Sequence, residues 1–568
     1  DASLRGEIYL LTFFNTSCKD CQSELPVIQE LYDEYHYDIK FVNVSRNEGE
    51  PSVAQYWKSK GLTMPYCAQD DSRIFNRFAS SNIPRLYLVD GNGIILTSYD
   101  DKTMPDCRTL ADAIENALDL SGKYMSVEIN ARVSAATYEN AKKAVAGIPN
   151  DYAVRTLYGL FYDAQTKKLS KTAVITDFDE IQTSPDDGVD ISYICKHIRL
   201  KHGKYDLFCI ANMQEPPLDI EDETTLVNTI DRKTYQTGII SNISEDGAIM
   251  TSIASDYLDL DFNDLSKKQA TLSIDLHRVV AKVSIGIKSG VFSLTKDGVK
   301  YADINITNFK IVNLNKEYYL FRHTYDSQSV GSQHSFNLPG NFEDNIDESK
   351  TYVIDPYFFD KDGSASSFIT MQNRYVSPYG SFDVATSMMP SMPSSGYTAN
   401  SYILENTSTA STQKKGYSVG IVFKAAVNPI TVYMYDANSN TLYQEEKKDN
   451  WTTRLYLYKH NFYGSIAALN AASGLNLTNT IHTDADLNKL GVKQTIFNMG
   501  VYETYYTYWI RHRVDVEDEG LVPMKYGIVR NHNYLLKVAG ISGLGTSTIT
   551  PDVESDNEPN SYSDDIIL

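Results

Sequence analysis

The chain has 568 residues, of which 42% are hydrophobic and 22% are charged. This composition excludes a mostly disordered chain, and at roughly 100–200 residues per domain the length predicts about three to five domains. The formal net charge of −21 argues against a nucleic-acid-binding surface, which requires clustered Lys and Arg. No stretch has the roughly 18 consecutive apolar residues of a membrane-spanning helix, so we expect no segment that crosses a bilayer.

The first 120 residues alternate between strand-like and helix-like patterns. Residues 7–14 form an apolar run that predicts a buried strand, and residues 22–37 carry apolar side chains at helical spacing. In this helix we place Glu24, Glu30 and Glu34 on the other faces. Further strands are predicted at 39–44, 85–89 and 94–98, and further helices at 53–60, 74–80 and 109–118. This order predicts an α/β domain in which a mixed sheet carries helices on its faces.

A Cys-x-x-Cys motif lies where the first strand ends and the first helix begins. The free N–H groups and the positive end of the helix dipole would stabilise a thiolate at Cys18. Cys21, one turn further on, is placed to attack a mixed disulfide and release the product. The alternative is half of a zinc site, but no second Cys-x-x-Cys or His pair follows at the required spacing. We therefore predict a redox pair, and we expect neither a metal nor a cofactor.

The sequence around these cysteines resembles a thioredoxin-like domain of the TlpA/ResA type. The resemblance is carried by F-F-N-T-S-C-K-D-C-Q-S-E-L-P at 13–26, by Met64-Pro65-Tyr66, and by Ser81-Asn82-Ile83-Pro84-Arg85-Leu86. It implies that Pro84 follows a cis peptide bond opposite the cysteine pair, where it holds extended substrate backbone. Two departures from the family, Ser17 in place of Trp and Lys19-Asp20 in place of Gly-Pro, leave open that the domain is an inactive scaffold.

From about residue 123 the pattern changes to short strands of period two that alternate with turn residues. Strands at this density predict antiparallel β-sandwiches. The sequence thus predicts a multidomain chain with an α/β domain at 1–120, two β-sandwiches at 121–290 and 291–548, and an acidic, mobile tail at 549–568.

Two cysteines lie in neighbouring predicted strands. A three-residue loop with Gly203 at its last position would pair Leu200 with Lys204, and hence Cys195 with Cys209. Directly opposed strand residues are close enough for a disulfide, which would require an oxidising compartment. The alternative of two buried free thiols remains open.

A second resemblance covers about 123–545 and concerns the fimbrillins, the pilus subunits of Bacteroidetes-type bacteria. Six strings in order carry it: VRTLYGLFY at 154–162, GKYDLFCIAN at 203–212, IMTS at 249–252, LHRVVAKV at 276–283, YILENT at 402–407 and MKYGIVRNHNY at 524–534. We interpret all six as strands that pack a core and perform no chemistry.

The fimbrillin resemblance implies an exported subunit that assembles by strand exchange. A protease removes the first strand, which here matches 125–133, and the strand of another fimbrial subunit fills the groove. Arg132, Lys142 and Lys143 are candidate processing sites, so either this subunit is not cut or the redox domain is shed at assembly. A lipid anchor upstream of Asp1 and a location at the outer membrane, the cell surface or a fimbrium are also implied.

Two classes of function follow. The first is an adhesive and structural pilus subunit whose surface ligand on a host or bacterium is unknown. Residues 546–568 lack an alternating apolar strand, which favours a tip or accessory position. The second is an envelope thiol–disulfide oxidoreductase that uses Cys18 and Cys21 on protein substrates and faces the periplasm. In either case we expect no enzymatic activity in the sandwiches and no nucleic-acid partner.

Overall fold

The computed structural model describes most of the chain. The described residues are 4–121, 124–134, 152–183, 190–215, 220–231, 243, 247–252, 256–260, 269–326, 351–362, 364–379, 391, 396–446, 451–512, 522–549 and 566–567. We call residues 4–121 the α/β unit, 124–278 the first β unit and 280–567 the second β unit. No helix within these ranges is both long enough and apolar enough to span a membrane.

The α/β unit is built on a five-stranded mixed sheet with the strand order β3-β2-β1-β4-β5. Its strands are β1 (Tyr9–Phe14), β2 (Lys40–Ser45), β3 (Tyr66–Cys67), β4 (Arg85–Val89) and β5 (Ile95–Tyr99). Its helices are α1 (Lys19–Tyr35), α2 (Glu50–Lys60) and α3 (Cys107–Leu120). Apolar side chains on both faces of β1 are buried against these helices and the connecting segments. The predicted α/β class is confirmed, although the helix expected at 74–80 is only a short 3-10 turn at Phe75–Arg77.

The first β unit is a nine-stranded sheet. The ten strands described between 124 and 278 are β6 (Tyr124–Ser134), β7 (Leu157–Asp163), β8 (Leu169–Ile175), β9 (Asp179–Thr183), β10 (Asp190–Lys201), β11 (Gly203–Ala211), β12 (Ile230–Asp231), β13 (Met250–Ser252), β14 (Asp256–Leu260) and β15 (Gln269–Arg278). All except β12 belong to the sheet, in the order β8-β7-β11-β13-β15-β6-β10-β9 with β14 also paired to β11. Because β8 and β10 approach each other, the sheet curves around an apolar core. The short helix α4 (Glu223–Val227) lies before β12.

The second β unit packs a three-stranded sheet against a nine-stranded one. Its strands are β16 (Val280–Ile287), β17 (Phe292–Lys296), β18 (Val299–Val312), β19 (Tyr318–Tyr319), β20 (His323–Asp326), β21 (Thr351–Ile354), β22 (Gly396–Leu404), β23 (Gly420–Pro429), β24 (Thr431–Asp436), β25 (Thr441–Glu446), β26 (Arg454–Tyr458), β27 (Asn461–Tyr463), β28 (Val492–Asn498), β29 (Val501–Trp509), β30 (Asn533–Val538), β31 (Gly540–Ile541) and β32 (Ile566–Ile567). The orders are β22-β16-β30 and β17-β18-β23-β29-β28-β26-β27-β24-β25. Three helices, α5 (Ala365–Arg374), α6 (Ile466–Ser473) and α7 (Asp484–Asn488), complete the unit. The largest apolar cluster of the described chain includes side chains from both sheets, so the predicted sandwich class is confirmed.

The two β units meet at a point that the sequence pattern did not reveal. The run at 272–288 is predicted as one strand, but the chain leaves the first sheet after β15 and enters the next sheet at β16.

A buried ion pair lies within the second β unit. The guanidinium of Arg530 donates to Glu405 Oε2 at 2.7 Å and to the carbonyl of Leu320 at 3.0 Å. Two fimbrillin-like strings, YILENT and MKYGIVRNHNY, are therefore joined by a buried ion pair. The predicted domain limits at 120, 290 and 548 stay predictions.

The prediction of a mobile acidic tail is wrong at its end. β32 pairs with β31, and the Ile566 side chain is buried in the core of the second β unit. Residues 550–565 lie outside the described residues. The acidic segment has two isoleucines near its end, and the free energy gained by burying Ile566 favours docking of this strand.

Candidate redox site and central strand

The cysteine pair lies at the junction of β1 and α1. Cys18 has extended backbone angles and serves as the N-cap of α1, where its Sγ accepts a hydrogen bond from the Cys21 N–H at 3.4 Å. The Cys18 thiol also approaches the carbonyl oxygen of Ile83 at 3.6 Å. The Ile83–Pro84 peptide bond is cis, as the thioredoxin-like resemblance implied. The structure therefore brings Cys18, Cys21 and Pro84 together, although they are far apart in the sequence.

The two thiols differ in exposure and in chemistry. Cys21 is fully buried, whereas Cys18 is partly exposed at the helix N-terminus. Burial raises the pKa of Cys21 far above its ordinary value, and the hydrogen bond with Cys18 adds to the effect. Since the thiolate is the nucleophile in disulfide exchange, the accessible Cys18 is placed to attack first and the buried Cys21 to act second.

Glu24 belongs to this site, and the sequence analysis missed it. It lies on α1 one helical turn after Cys21, on the buried side of the helix rather than on another face. Burial raises the pKa of its carboxyl group to about 7, and its Oε1 is buried without a hydrogen-bond partner. The available signal was its spacing of three residues from Cys21, which places both side chains on the same face. A carboxyl group that titrates near neutral pH can accept or donate a proton there.

The loop before Cys18 is held by the segment that follows β2 and by a side chain of α1. The amide of Asn15 donates to the carbonyl of Arg46 at 3.0 Å, and the Thr16 N–H donates to Glu48 Oε2 at 2.7 Å. Gln22 donates back to the Thr16 carbonyl at 2.8 Å. These bonds fix the N-terminus of α1 relative to the sheet. No group of three or more His, Cys, Asp or Glu in the described ranges is arranged to hold a metal ion.

The predicted hairpin between Cys195 and Cys209 is wrong. β10 pairs with β6 and β9, whereas β11 pairs with β7, β13 and β14, so the chain crosses to another part of the sheet at His202. Both cysteines are buried in the core of the first β unit, and neither forms a disulfide. The structure therefore agrees with the other possibility, in which the two cysteines are buried as separate thiols. The prediction from turn spacing failed because the neighbours of β10 and of β11 are strands that lie far away in the sequence.

The strand that matches the processed strand of fimbrillins is β6. It lies in the interior of the sheet, antiparallel to β10 and parallel to β15. Four of its side chains are fully buried, namely Val127, Ile129, Ala131 and Val133. The candidate processing residue Arg132 is on the exposed face and pairs with Asp275 at 2.8 Å. Lys142 and Lys143 lie outside the described residues.

Comparisons with known proteins agree with this division of the chain. Residues 1–98 match the family model of the AhpC/TSA family, and residues 496–568 match that of the major fimbrial subunit protein type IV, fimbrillin, C-terminal. Both resemblances inferred from the sequence are thereby confirmed over these segments. The N-terminal segment is thioredoxin-like, and the C-terminal segment is fimbrillin-like.

The relatives of the N-terminal segment include thiol-disulfide oxidoreductases. ResA of Geobacillus thermodenitrificans is 30% identical over 90 residues, which is 16% of this chain and 52% of that protein. ResA of Bacillus cereus is 27% identical, over 16% of this chain and 54% of that protein. A thioredoxin-family thiol:disulfide interchange protein of Chlorobium tepidum, a solved structure, is 26% identical and covers 21% of this chain and 83% of its own, with a TM-score of 0.19. The chain spans about half the length of the curated relatives it matches.

Proposed function

We propose that this protein is an exported fimbrial subunit in a tip or accessory position, which carries a thiol–disulfide exchange module. The observation that carries the proposal is the place of β6 inside the first sheet, together with the fimbrillin-like segment at 496–568. Its proposed location is the outer membrane, the cell surface or a fimbrium, with a lipid anchor upstream of Asp1. Other fimbrial subunits and an unidentified surface ligand are the proposed partners.

The position of β6 supports assembly by strand exchange. Removal of β6 would leave the edges of β10 and β15 unpaired and would open an apolar groove that four buried side chains now fill. An extended strand from another subunit can satisfy both the backbone groups and the groove. Because β6 is paired on both sides, cleavage after Arg132 requires the strand to leave the sheet first.

The C-terminal strand supports a terminal or accessory position. β32 pairs with β31 of the same chain and buries Ile566 in its own core. In this state the residues 566–567 are not available to complete a neighbouring subunit. A shaft subunit must offer such a strand to its neighbour.

The proposal is tested on protein recovered from the cell surface. Mass spectrometry that finds an intact N-terminus would show that the subunit is assembled uncut, and an N-terminus near Arg132 would show that the α/β unit is shed. Electron microscopy with an antibody against 496–568 locates the protein. Label along the whole length of filaments would contradict the tip or accessory position, and label absent from filaments would contradict the fimbrial role.

A second function, thiol–disulfide exchange on protein substrates, rests on the geometry of Cys18. Its thiol lies at the helix N-terminus and beside the Ile83 carbonyl, next to Pro84. Disulfide release requires that the buried Cys21 lose its proton, and Glu24, one turn away, is the proposed acceptor. The proposed substrates are proteins with exposed disulfides.

This second function is tested with the reduced full chain. We expect insulin disulfide reduction by the wild type, trapping of a mixed disulfide by Cys21→Ser, and loss of both by Cys18→Ser. Cys67→Ser is the matched control, because Cys67 is an exposed cysteine outside the pair. Equal, background-level activity in all four proteins would show that the α/β unit is a scaffold.

A further inference from the structure

A lysine and an aspartate are buried together in the second β unit, away from the redox site. Lys361 Nζ lies 2.8 Å from Asp355 Oδ2, and each side chain is only 1% exposed. The two residues flank the short 3-10 turn Phe358–Asp360. Such an ion pair loses the hydration of both charges, and transfer of one proton yields a neutral amine beside a neutral carboxylic acid.

We propose that Lys361 and Asp355 form an intramolecular isopeptide bond. Near-attack geometry requires reacting atoms about 3–3.5 Å apart. Nζ lies 2.8 Å from Oδ2, which is bonded directly to Cγ, so the amine already lies beside the carbon that it would attack. Burial also lowers the pKa of the Lys361 amine, which favours its nucleophilic form. The site is therefore a modification site in which the chain is its own substrate.

The reaction is a condensation and needs no oxidant, reductant or other reactant. One ammonium proton passes from Nζ to Oδ2, and the nitrogen lone pair then attacks Cγ. The Cγ–Oδ2 bond breaks as a second proton moves from nitrogen to that oxygen, which leaves as water. The third proton remains on the new amide nitrogen, and the charges of the pair cancel.

Backbone groups around Asp355 are arranged to assist this reaction. The Tyr357 N–H donates to Oδ1 at 2.7 Å, where negative charge develops in the tetrahedral intermediate. The Thr407 N–H donates to Oδ2, the leaving oxygen, at 2.5 Å. The Thr407 carbonyl accepts from Lys361 Nζ at 3.0 Å and orients the amine. The same donors stabilise the carboxylate of a simple ion pair, so the product itself must be measured.

Besides Lys361, three tyrosines in the described part of the chain interact electrostatically with Asp355. Burial raises the pKa of Tyr319, Tyr357 and Tyr375, so these three side chains are neutral at neutral pH. Asp355 is followed by Pro356, whose nitrogen carries no hydrogen. An aspartate before proline cannot dehydrate to the usual succinimide, so loss of water at Asp355 is diagnostic of the proposed bond.

The test is a tryptic peptide map of the purified full chain. Trypsin does not cleave after a lysine whose amine is acylated. We expect the peptide 351–374 uncut at Lys361, with a mass lower by that of one water molecule and no fragment ions from within 355–361. Lys167, whose Nζ lies 2.6 Å from Asp206 but whose side chain is 41% exposed, is the internal control and should be cleaved.

Two variants assign the modification. Lys361→Arg keeps the positive charge but cannot form this bond, and Asp355→Ala removes the electrophile, so both should show the full mass calculated from the sequence. The wild-type map remains decisive if either variant fails to fold. Cleavage after Lys361 at full mass in the wild-type chain would overturn the proposal and leave a structural ion pair.

Discussion

At the scale of single residues, Glu24 makes the stability of the α/β unit depend on pH. Its pKa is raised from 4.5 to about 7 by burial, so the folded chain holds its proton between these two values while the unfolded chain releases it. The free energy of unfolding therefore falls as the pH rises through this window, and the loss is complete above about pH 7.

The variant Glu24→Gln removes the ionisable group but keeps its shape. We expect its free energy of unfolding to exceed that of the wild type at pH 8 by on the order of 2–3 kcal/mol and to equal it at pH 4. Urea unfolding of the full chain, followed by hydrogen-exchange mass spectrometry of peptides from the α/β unit, measures this. Glu30→Gln, at an exposed position of α1, should change neither value. Equal stability of Glu24→Gln and wild type at pH 8 would show that folding does not raise the pKa of Glu24.

At the scale of single elements, β6 is expected to be indispensable to the first β unit. Ile129 is fully buried, and we expect Ile129→Ala to cost about 2–5 kcal/mol because it opens a cavity in the core. Arg132→Ala removes only an ion pair whose side chains are about half exposed, and should cost about 1 kcal/mol or less. Differential scanning calorimetry of the full chain compares the two. A similar loss of stability in both variants would show that the buried apolar face of β6 is not what stabilises the unit.

The short strand β32 permits a sharper comparison. Ile566 is 5% exposed in the core of the second β unit, whereas its neighbour Ile567 is 52% exposed. We expect Ile566→Ala to lower the stability of that unit by about 2–4 kcal/mol and Ile567→Ala to change it by about 0.5 kcal/mol or less. Thermal unfolding followed by far-UV circular dichroism measures both. If neither variant unfolds at a lower temperature than the wild type, β32 is not docked in solution.

At the scale of the whole molecule, the α/β unit is bound to the first β unit through charged groups. Asp38, which is 3% exposed, pairs with Lys171 of β8, and Arg199 of β10 contacts Glu115 and Asp119 of α3. The Tyr124 hydroxyl donates to the Asp38 carbonyl at 2.5 Å. These contacts fix the orientation of the candidate redox site relative to the sheet that holds β6.

Loss of the cation at position 171 should uncouple the two units. Lys171→Met leaves Asp38 buried without its partner, which costs about 3–5 kcal/mol. We expect the calorimetric transition of the α/β unit to move to lower temperature and to separate from that of the first β unit. Lys168→Met, which breaks a more exposed pair with Asp222, is the control and should leave the profile unchanged. An unchanged profile for Lys171→Met would show that the pair of Lys171 and Asp38 does not couple the two units.

The sequence predicted those features that depend on local pattern. Apart from the two-residue strand β3 and the helix expected at 74–80, the order of strands and helices at 9–120 follows from apolar periodicity. The Cys18 N-cap follows from the position of the cysteine pair between a strand and a helix. It did not predict which strands lie beside β10 and β11. The short connection between these two strands is compatible both with a hairpin and with a crossing from one part of the sheet to another. Glu24 was misplaced because its burial depends on what packs over that side of α1.

What the sequence by itself determined is therefore the type of each element and the chemistry available at the ends of those elements, because both depend on neighbours a few residues away. Only the tertiary structure decided which strands are adjacent, that the Ile83 carbonyl lies beside the Cys18 thiol, and that Asp355 and Lys361 are sealed from water together. These outcomes depend on contacts between residues distant in the chain and on the burial that such contacts create. Local periodicity carries no information about either.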